Sequence, residues 1–365
     1  MKNFFTPKII TILAGLLILV IGYFNHAIKD TIIIVGLLSS VWIAITIHEL
    51  GHVIFGKIAG FEFNCFTTGP ILIEKNAEGI KLRENKSWEF AGGMALMMPP
   101  FVQKEKMGSK QILYSAGGPI LSLLFSLISF ILYNQMEHIA LLFFSLVNLG
   151  IFVVTMIPSG KGESGSDGYF IFLLLKNNEK SLSLLENTLI YREFLSNKKP
   201  NDWNEEYIQL AKQKAPSIDN IMYATMVYYY EIEKNGFISA KKKMEEYTTI
   251  SITKQNSRLL SVFIHMQQLA YFLTDYQDNQ FKSIKHLQQF LSPIEPVSFY
   301  RGQCIIAYLQ NDISQASEYL QKVKKIIEKN EPIYGFFKVE RTLTEMVEEK
   351  ILSPTNNSPM RSHNI

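Results

Sequence analysis

Two histidines and a glutamate, His48, Glu49 and His52, stand in the stretch AITIHELGHVIFGK (residues 44–57), whose other residues are nearly all apolar. On a helix, residues four apart share one face, so H-E-x-x-H aims both imidazoles at one metal ion, the spacing of a Zn²⁺ site. Such a metal lowers the pKa of water to about 7 and yields a nucleophile able to attack an amide bond. Glu49 lies where a general base would take that water's proton. A lone histidine in a soluble helix more often satisfies itself by hydrogen bonding. Inside a membrane-like run, however, an ionisable residue costs roughly 2.5–3.5 kcal/mol, and three together need a reason.

A zinc site of this kind needs a third protein ligand and keeps a fourth position open. Asp167 meets the requirement within VTMIPSGKGESGSDGYFIF, residues 153–171. It follows a Gly/Ser-rich loop and precedes Gly168 and an apolar run, so a turn there can return a carboxylate to the end of the H-E-x-x-H helix. Two alternatives stay open: Asp167 as the N-cap of the next helix, and Glu163, four residues earlier, as the ligand.

These residues must be held by the surrounding elements, and composition says which kind. The chain has 365 residues, 47% hydrophobic and 19% charged, with a formal charge of +3, which argues against a nucleic-acid binder or a disordered tail. The balance is uneven: residues 1–175 hold 12 of the 36 Lys and Arg, and the second half holds the other 24. Four uncharged or nearly uncharged runs in the first half reach the roughly 20 residues that a bilayer demands, at about 9–28, 31–56, 112–136 and 139–158. No small-residue cleavage site follows the first, so it reads as a retained helix. Eight Lys and Arg collect in residues 57–110. By the positive-inside rule that loop, the N-terminus and everything after Pro158 face the cytoplasm, in a multi-pass protein of the cell membrane. His48, 17 residues after Thr31, lies about 25 Å along its span, near the cytoplasmic edge.

H-E-L-G-H inside a membrane span, G-G-P at Gly117 to Pro119, and a later proline with S-D-G, at Pro158 and Ser166 to Gly168, resemble the site-2 protease family of intramembrane zinc metalloproteases. The resemblance covers about residues 31–175. It implies Zn²⁺ held by His48, His52 and Asp167, Glu49 as base, and cleavage of a substrate's transmembrane segment near one membrane face. Two features depart from the family pattern: Thr155 stands where the family has the Asn of N-x-x-P, with an Asn only at Asn148, and eight residues separate Pro158 from Asp167.

Between the second and third spans, FEFNCF and ILIEKNAEGIKLRE read as a β-hairpin, the second stretch turning at Ala77 to Gly79. An edge strand beside the site can pair with an unwound substrate through main-chain hydrogen bonds. The resemblance implies the same use for the stretch Gly92-Gly93-Met94, while Asn148 either lines the site or hydrogen-bonds across helices.

The second half has a helix, turn, helix rhythm in 231–247, 274–290 and 307–323, with turns at Asn235-Gly236, Asp278-Asn279 and Asn311-Asp312. It resembles degenerate tetratricopeptide-type repeats. His265 and His286 are expected to be structural, Tyr228, Tyr229 and Tyr230 to be core, and Cys65 and Cys304 to stay reduced. The expected fold is therefore an all-α polytopic membrane protein with a small β-hairpin near its active site. A membrane-embedded metalloprotease domain spans 1–175, a cytosolic helical repeat domain 176–352 and a disordered tail 353–365. The expected partners are the lipid bilayer, a membrane-tethered protein or peptide substrate, and a protein that docks on the helical domain. The competing reading is a catalytically inactive membrane scaffold whose repeats bind a partner; the intact Glu49 speaks against it.

Overall fold

Thr6 and Pro7 open the first helix, because the Thr6 hydroxyl accepts the Ile9 N–H at 3.4 Å and proline has no first-turn N–H to leave unpaired. In the computed structural model, which describes residues 6–76, 79–100, 104–161, 164–274 and 280–352, this is α1 (Pro7–Phe24). With α2 (Ile28–Ile58), α3 (Lys104–Met136) and α4 (Ile139–Met156), it makes four helices long and apolar enough to cross a membrane. They match the four runs read from the sequence to within a few residues, except that α3 begins eight residues before its apolar run. Leu16, Leu17, Ile32, Ile131 and Val154 on these helices are all more than half exposed, an apolar surface of the kind a bilayer covers. Inward faces carry small and polar residues instead: the Ser145 hydroxyl on α4 donates to the Ser126 carbonyl on α3 at 2.8 Å.

The expected hairpin is present as β2 (Ile71–Asn76) and β3 (Gly79–Glu84), paired from Ile71 with Glu84 to Asn76 with Gly79. It is half of a larger sheet. β1 (Glu62–Thr68) and β4 (Met94–Met98) extend it to four antiparallel strands in the order β3-β2-β1-β4. MALMM, the β4 sequence, has no polar alternation because three of its residues, Ala95, Met97 and Met98, are buried, which is why periodicity does not announce it. The sheet is pinned to the helices by a hydrogen bond between the Thr46 and Thr68 hydroxyls at 2.8 Å and by Tyr114, whose hydroxyl donates to the Ala95 carbonyl at 2.5 Å. After α4 come a two-stranded ribbon, β5 (Gly160–Lys161) and β6 (Ser164–Gly165), then α5 (Asp167–Leu175) and α6 (Glu179–Phe194).

The chain divides into two compact units, Met1–Arg192 and Glu193–Ile365. The second contains α7 (Glu205–Lys212), α8 (Ile221–Lys243), α9 (Ser261–Leu273), α10 (Gln280–Gln288), α11 (Pro296–Leu309), α12 (Ile313–Asn330) and α13 (Phe337–Leu352). α8 breaks at Gly236, with φ 80°, and Asn311 takes φ 62° between α11 and α12, so two of the three turns lie where the sequence puts them. The third, at Asp278-Asn279, and the tail from Ser353 lie outside the described residues. Tyr228, Tyr229 and Tyr230 are core, Cys304 is buried, and His286 is exposed with its ring edge-on to Phe290. Cys65 and Cys304 are free thiols.

At the centre of the second unit lies a buried polar network. Arg301 donates from Nε to His265 Nε2 at 2.9 Å and from Nη1 to the Thr344 hydroxyl at 3.1 Å, and its Nη2 pairs with Glu340, which also accepts from Tyr229. Because Arg301 has only donors, His265 Nε2 must be an acceptor and Nδ1–H must donate to Gln268 Oε1, 2.8 Å away. Burial, reinforced by the Arg301 charge, drives the imidazole pKa down from 6.5 to about 3. The unfolded chain therefore takes a proton below about pH 6.5 that the fold refuses. The stability contribution is complete above that pH and is lost as pH falls toward 3, at up to about 1.4 kcal/mol per pH unit. Hydrogen exchange of α9, α11 and α13 in the whole protein should accelerate between pH 6 and 4 beyond intrinsic rates, and His265→Gln should flatten that dependence.

Candidate metal centre

α2 and α3 cross where neither helix has a side chain. A Cβ on Gly51 would lie 2.2 Å from the Gly117 carbonyl oxygen, and one on Gly117 would lie 2.4 Å from that of Gly51. Only glycine at both positions lets the backbones approach so closely. The adjoining Gly118 presents its bare Cα to the imidazoles: a Cβ there would sit 2.4 Å from His52 Nε2 and 2.8 Å from His48 Nε2. The helix pair thus leaves a cradle over two ring nitrogens.

Into that cradle comes Asp167. Its Oδ2 is 3.3 Å from His48 Nε2 and its Oδ1 is 3.4 Å from His52 Nε2. The ligand atoms of the three residues lie within 4.8 Å of one another, and the two rings are nearly perpendicular, with centroids 5.0 Å apart. The opposite ring nitrogens are also engaged: His52 Nδ1 lies 3.0 Å from the Tyr114 carbonyl, and His48 Nδ1 lies 3.1 Å from the Ser122 hydroxyl. A carbonyl only accepts, so His52 Nδ1–H donates and a neutral His52 turns the Nε2 lone pair toward Asp167. A lone pair facing a carboxylate is repulsive unless a cation, either a proton or a metal, lies between them. The donor set and the open cradle fit Zn²⁺, which takes imidazole nitrogen and carboxylate oxygen in sites that keep one position free.

Asp167 arrives because the chain folds back after α4. The Ser166 N–H donates to the Ser159 carbonyl at 2.8 Å, and the Ser166 hydroxyl donates to the Ile157 carbonyl at 2.6 Å. A Cβ on Gly168 would strike the Met156 carbonyl oxygen at 2.0 Å, so the D-G pair is the part of α5 that can lie against the end of α4. The N-cap of α5 is Ser166, whose hydroxyl accepts the Tyr169 N–H at 3.2 Å, and Asp167 is the first helical residue. Its carboxylate is left for the histidines. Burial pushes that carboxyl up, but the imidazoles of His48 and His52, where a proton on Nε2 lets them hydrogen-bond to it, outweigh burial and hold it below the ordinary carboxylate range. Glu163 lies outside the described residues.

Glu49, on α2, lies beside Gly93 and Ala95 at the start of β4. Gly93, at φ 106°, has the left-handed backbone that glycine tolerates, and a Cβ there would lie 3.0 Å from Glu49 Cγ and Oε1. Gly92 has open space where a side chain would be. Asn148 is fully buried in α4; its Nδ2 donates to the Phe144 carbonyl at 2.9 Å, and its Oδ1 has no hydrogen-bond partner among the described residues. Sequence reasoning missed Tyr114 and Ser122. The signal for Ser122 was its place four residues after Gly118, on one face of α3, whereas a backbone carbonyl such as that of Tyr114 leaves no trace in residue type.

The model of one protein family, Peptidase family M50, matches residues 35–346. No match to a curated protein or a solved structure was found. The cradle itself makes a prediction: Gly118→Ala places a methyl against both Nε2 atoms and should weaken zinc binding by about tenfold or more, the effect of roughly 1–3 kcal/mol of overpacking. Competition with a chromophoric chelator on the purified protein measures it, and unchanged affinity would show that the ion does not bind beneath Gly118.

Proposed function

The chain belongs to Peptidase family M50, the site-2 protease family of membrane metallopeptidases, and on that premise we propose that it is a zinc endopeptidase cutting a peptide bond in or near the transmembrane segment of a membrane-tethered protein or peptide. The observation that carries this reading is the convergence of His48, His52 and Asp167 with Glu49 on the same helix and next to β4. In it, His48, His52 and Asp167 hold the ion. A bound Zn²⁺ supplies Lewis-acid polarisation of the scissile carbonyl and acidifies water. Glu49 takes the proton from the attacking water and returns it to the leaving amine. The cradle over Gly118 leaves room beside the ligands. An extended substrate segment lies along β4, whose place at the sheet edge beside Glu49 supports pairing by main-chain hydrogen bonds with little demand on side chains. Gly92 and Gly93 keep that approach free of bulk.

The protein crosses the membrane four times with both termini in the cytoplasm, the side favoured by the Lys and Arg count. The second unit is read as degenerate tetratricopeptide-type pairs that dock the substrate or a regulator. Support comes from its consecutive helix pairs, in which α9 packs on α10, α10 on α11 and α11 on α12.

Two substitutions test the roles separately. Glu49→Gln should leave bound zinc unchanged and lower cleavage of a helical membrane substrate by about 10²–10⁴-fold, since the amide keeps the shape but takes no proton. Activity within about tenfold of the parent would remove Glu49 from proton transfer. Asp167→Asn should weaken zinc beyond the 10–100-fold typical of a lost supporting contact, because a charged oxygen donor becomes neutral. Since Ser166 is the helix cap, this change leaves the cap intact. Zinc content after chelator competition distinguishes the outcomes, with Glu163→Gln as comparison: loss there and retention in Asp167→Asn would transfer the ligand role to Glu163.

A further inference from the structure

The two histidines are held from behind in different ways. His52 leans on a backbone carbonyl, which can only accept and which no substitution removes. His48 leans on the Ser122 hydroxyl, 3.1 Å from Nδ1 and fully buried, which can either donate or accept. If that hydroxyl donated to Nδ1, His48 would carry its proton on Nε2, facing Asp167, and could not bind a metal there. The hydroxyl must therefore be made to accept, and its own hydrogen must have another destination.

A destination lies on α4. Ser126 and Ser145 meet across α3 and α4, which run antiparallel through the short link at Glu137-His138. From that contact, four residues back along α3 leads to Ser122 and three forward along α4 leads to Asn148, steps of about 6 and 4.5 Å in one direction that bring both to about one level and turn both toward the same flank of the helix pair. Asn148 is fully buried with its Nδ2 committed to Phe144, so its Oδ1, without a partner among the described residues, is an acceptor waiting for a donor. A buried acceptor left unpaired costs about 1–3 kcal/mol, and an ordered water is the usual remedy where two or more polar groups converge.

We infer that Ser122 is the positioning residue for His48: its hydroxyl accepts from Nδ1–H and passes its own hydrogen to Asn148 Oδ1 through one buried water, which fixes the tautomer that leaves Nε2 free for the metal. The inference rests on His48 being a zinc ligand. It assigns to Asn148 a part in holding the ion in place of contact with substrate.

Zinc affinity by chelator competition, on the intact protein in detergent, tests it without reference to cleavage. Ser122→Ala should weaken zinc by about 10–100-fold, the usual effect of removing such a partner, and Ser122→Thr, which keeps the hydroxyl, should restore most of it. The visible spectrum of Co²⁺ in the site should change in Ser122→Ala and match the parent in Ser122→Thr, which a loss of packing alone would not produce. Asn148→Leu should weaken zinc less, and in combination with Ser122→Ala should add little, since both remove one chain of hydrogen bonds. A parent that holds no zinc would overturn the metal-centre reading and this inference with it. A parent that holds zinc, with Ser122→Ala unchanged or Ser122→Thr as weak as Ser122→Ala, would overturn only the role of Ser122. Fully additive losses would take Asn148 out of the chain.

Discussion

The structure of the first unit depends on one close approach, the crossing of α2 and α3 at Gly51 and Gly117. In a bilayer apolar side chains gain little by meeting one another, because lipid is as apolar as they are, so helices hold together where backbones can touch and polar groups can pair. Glycine on both helices at the same level permits the contact, and the site follows from it. The imidazoles of α2 point across the crossing toward α3, where they find the Tyr114 carbonyl and the Ser122 hydroxyl behind them and the bare Cα of Gly118 beside their free nitrogens. The crossing thus positions the histidines, selects the tautomer of His52 and leaves the space that an ion needs.

Much of this was legible in the sequence where residue type and chemistry coincide. His48, Glu49 and His52 are conspicuous because their charge conflicts with their setting, and the four long apolar helices are conspicuous for the same physical reason in reverse. Asp167 stood out through its glycine neighbour, and the structure brings its carboxylate to both histidines while Ser166, one residue earlier, serves as the cap. What stayed hidden was carried by backbone or by packing on both faces. β4 has no alternation to read, β1 was seen without this second partner, and the Tyr114 carbonyl would be there whatever side chain stood at that position. The second unit follows the same rule: two of its turns were visible as Asn-Gly and Asn-Asp, but the pairing of Arg301 with Glu340 joins residues 39 apart and is invisible to any local pattern.

That buried network shows a second way of tolerating polar groups away from water. Around the candidate metal centre the ligand atoms of His48, His52 and Asp167 converge on one another while the opposite ring nitrogens are held by α3. Around Arg301 the donors and acceptors satisfy one another, through Glu340, His265, Thr344, Gln268 and Gln288, across α9, α10, α11 and α13. Such a network is costly to break, since removing one partner leaves a buried group unpaired. Its members tie α9, α10, α11 and α13 together through side chains that have no water to turn to.

The sheet joins these arguments to the chemistry. Ala95 on β4 accepts the Tyr114 hydroxyl on its carbonyl and lies beside Glu49, so one strand residue touches the residue that anchors His52 and neighbours the general-base candidate. A segment that adds to this strand by main-chain pairing competes for that C=O. A hydrogen bond it forms at the Ala95 carbonyl replaces the one made by Tyr114, a near-even exchange in enthalpy that costs little. The strand edge and the packing of Tyr114 behind His52 therefore meet at a single residue, Ala95.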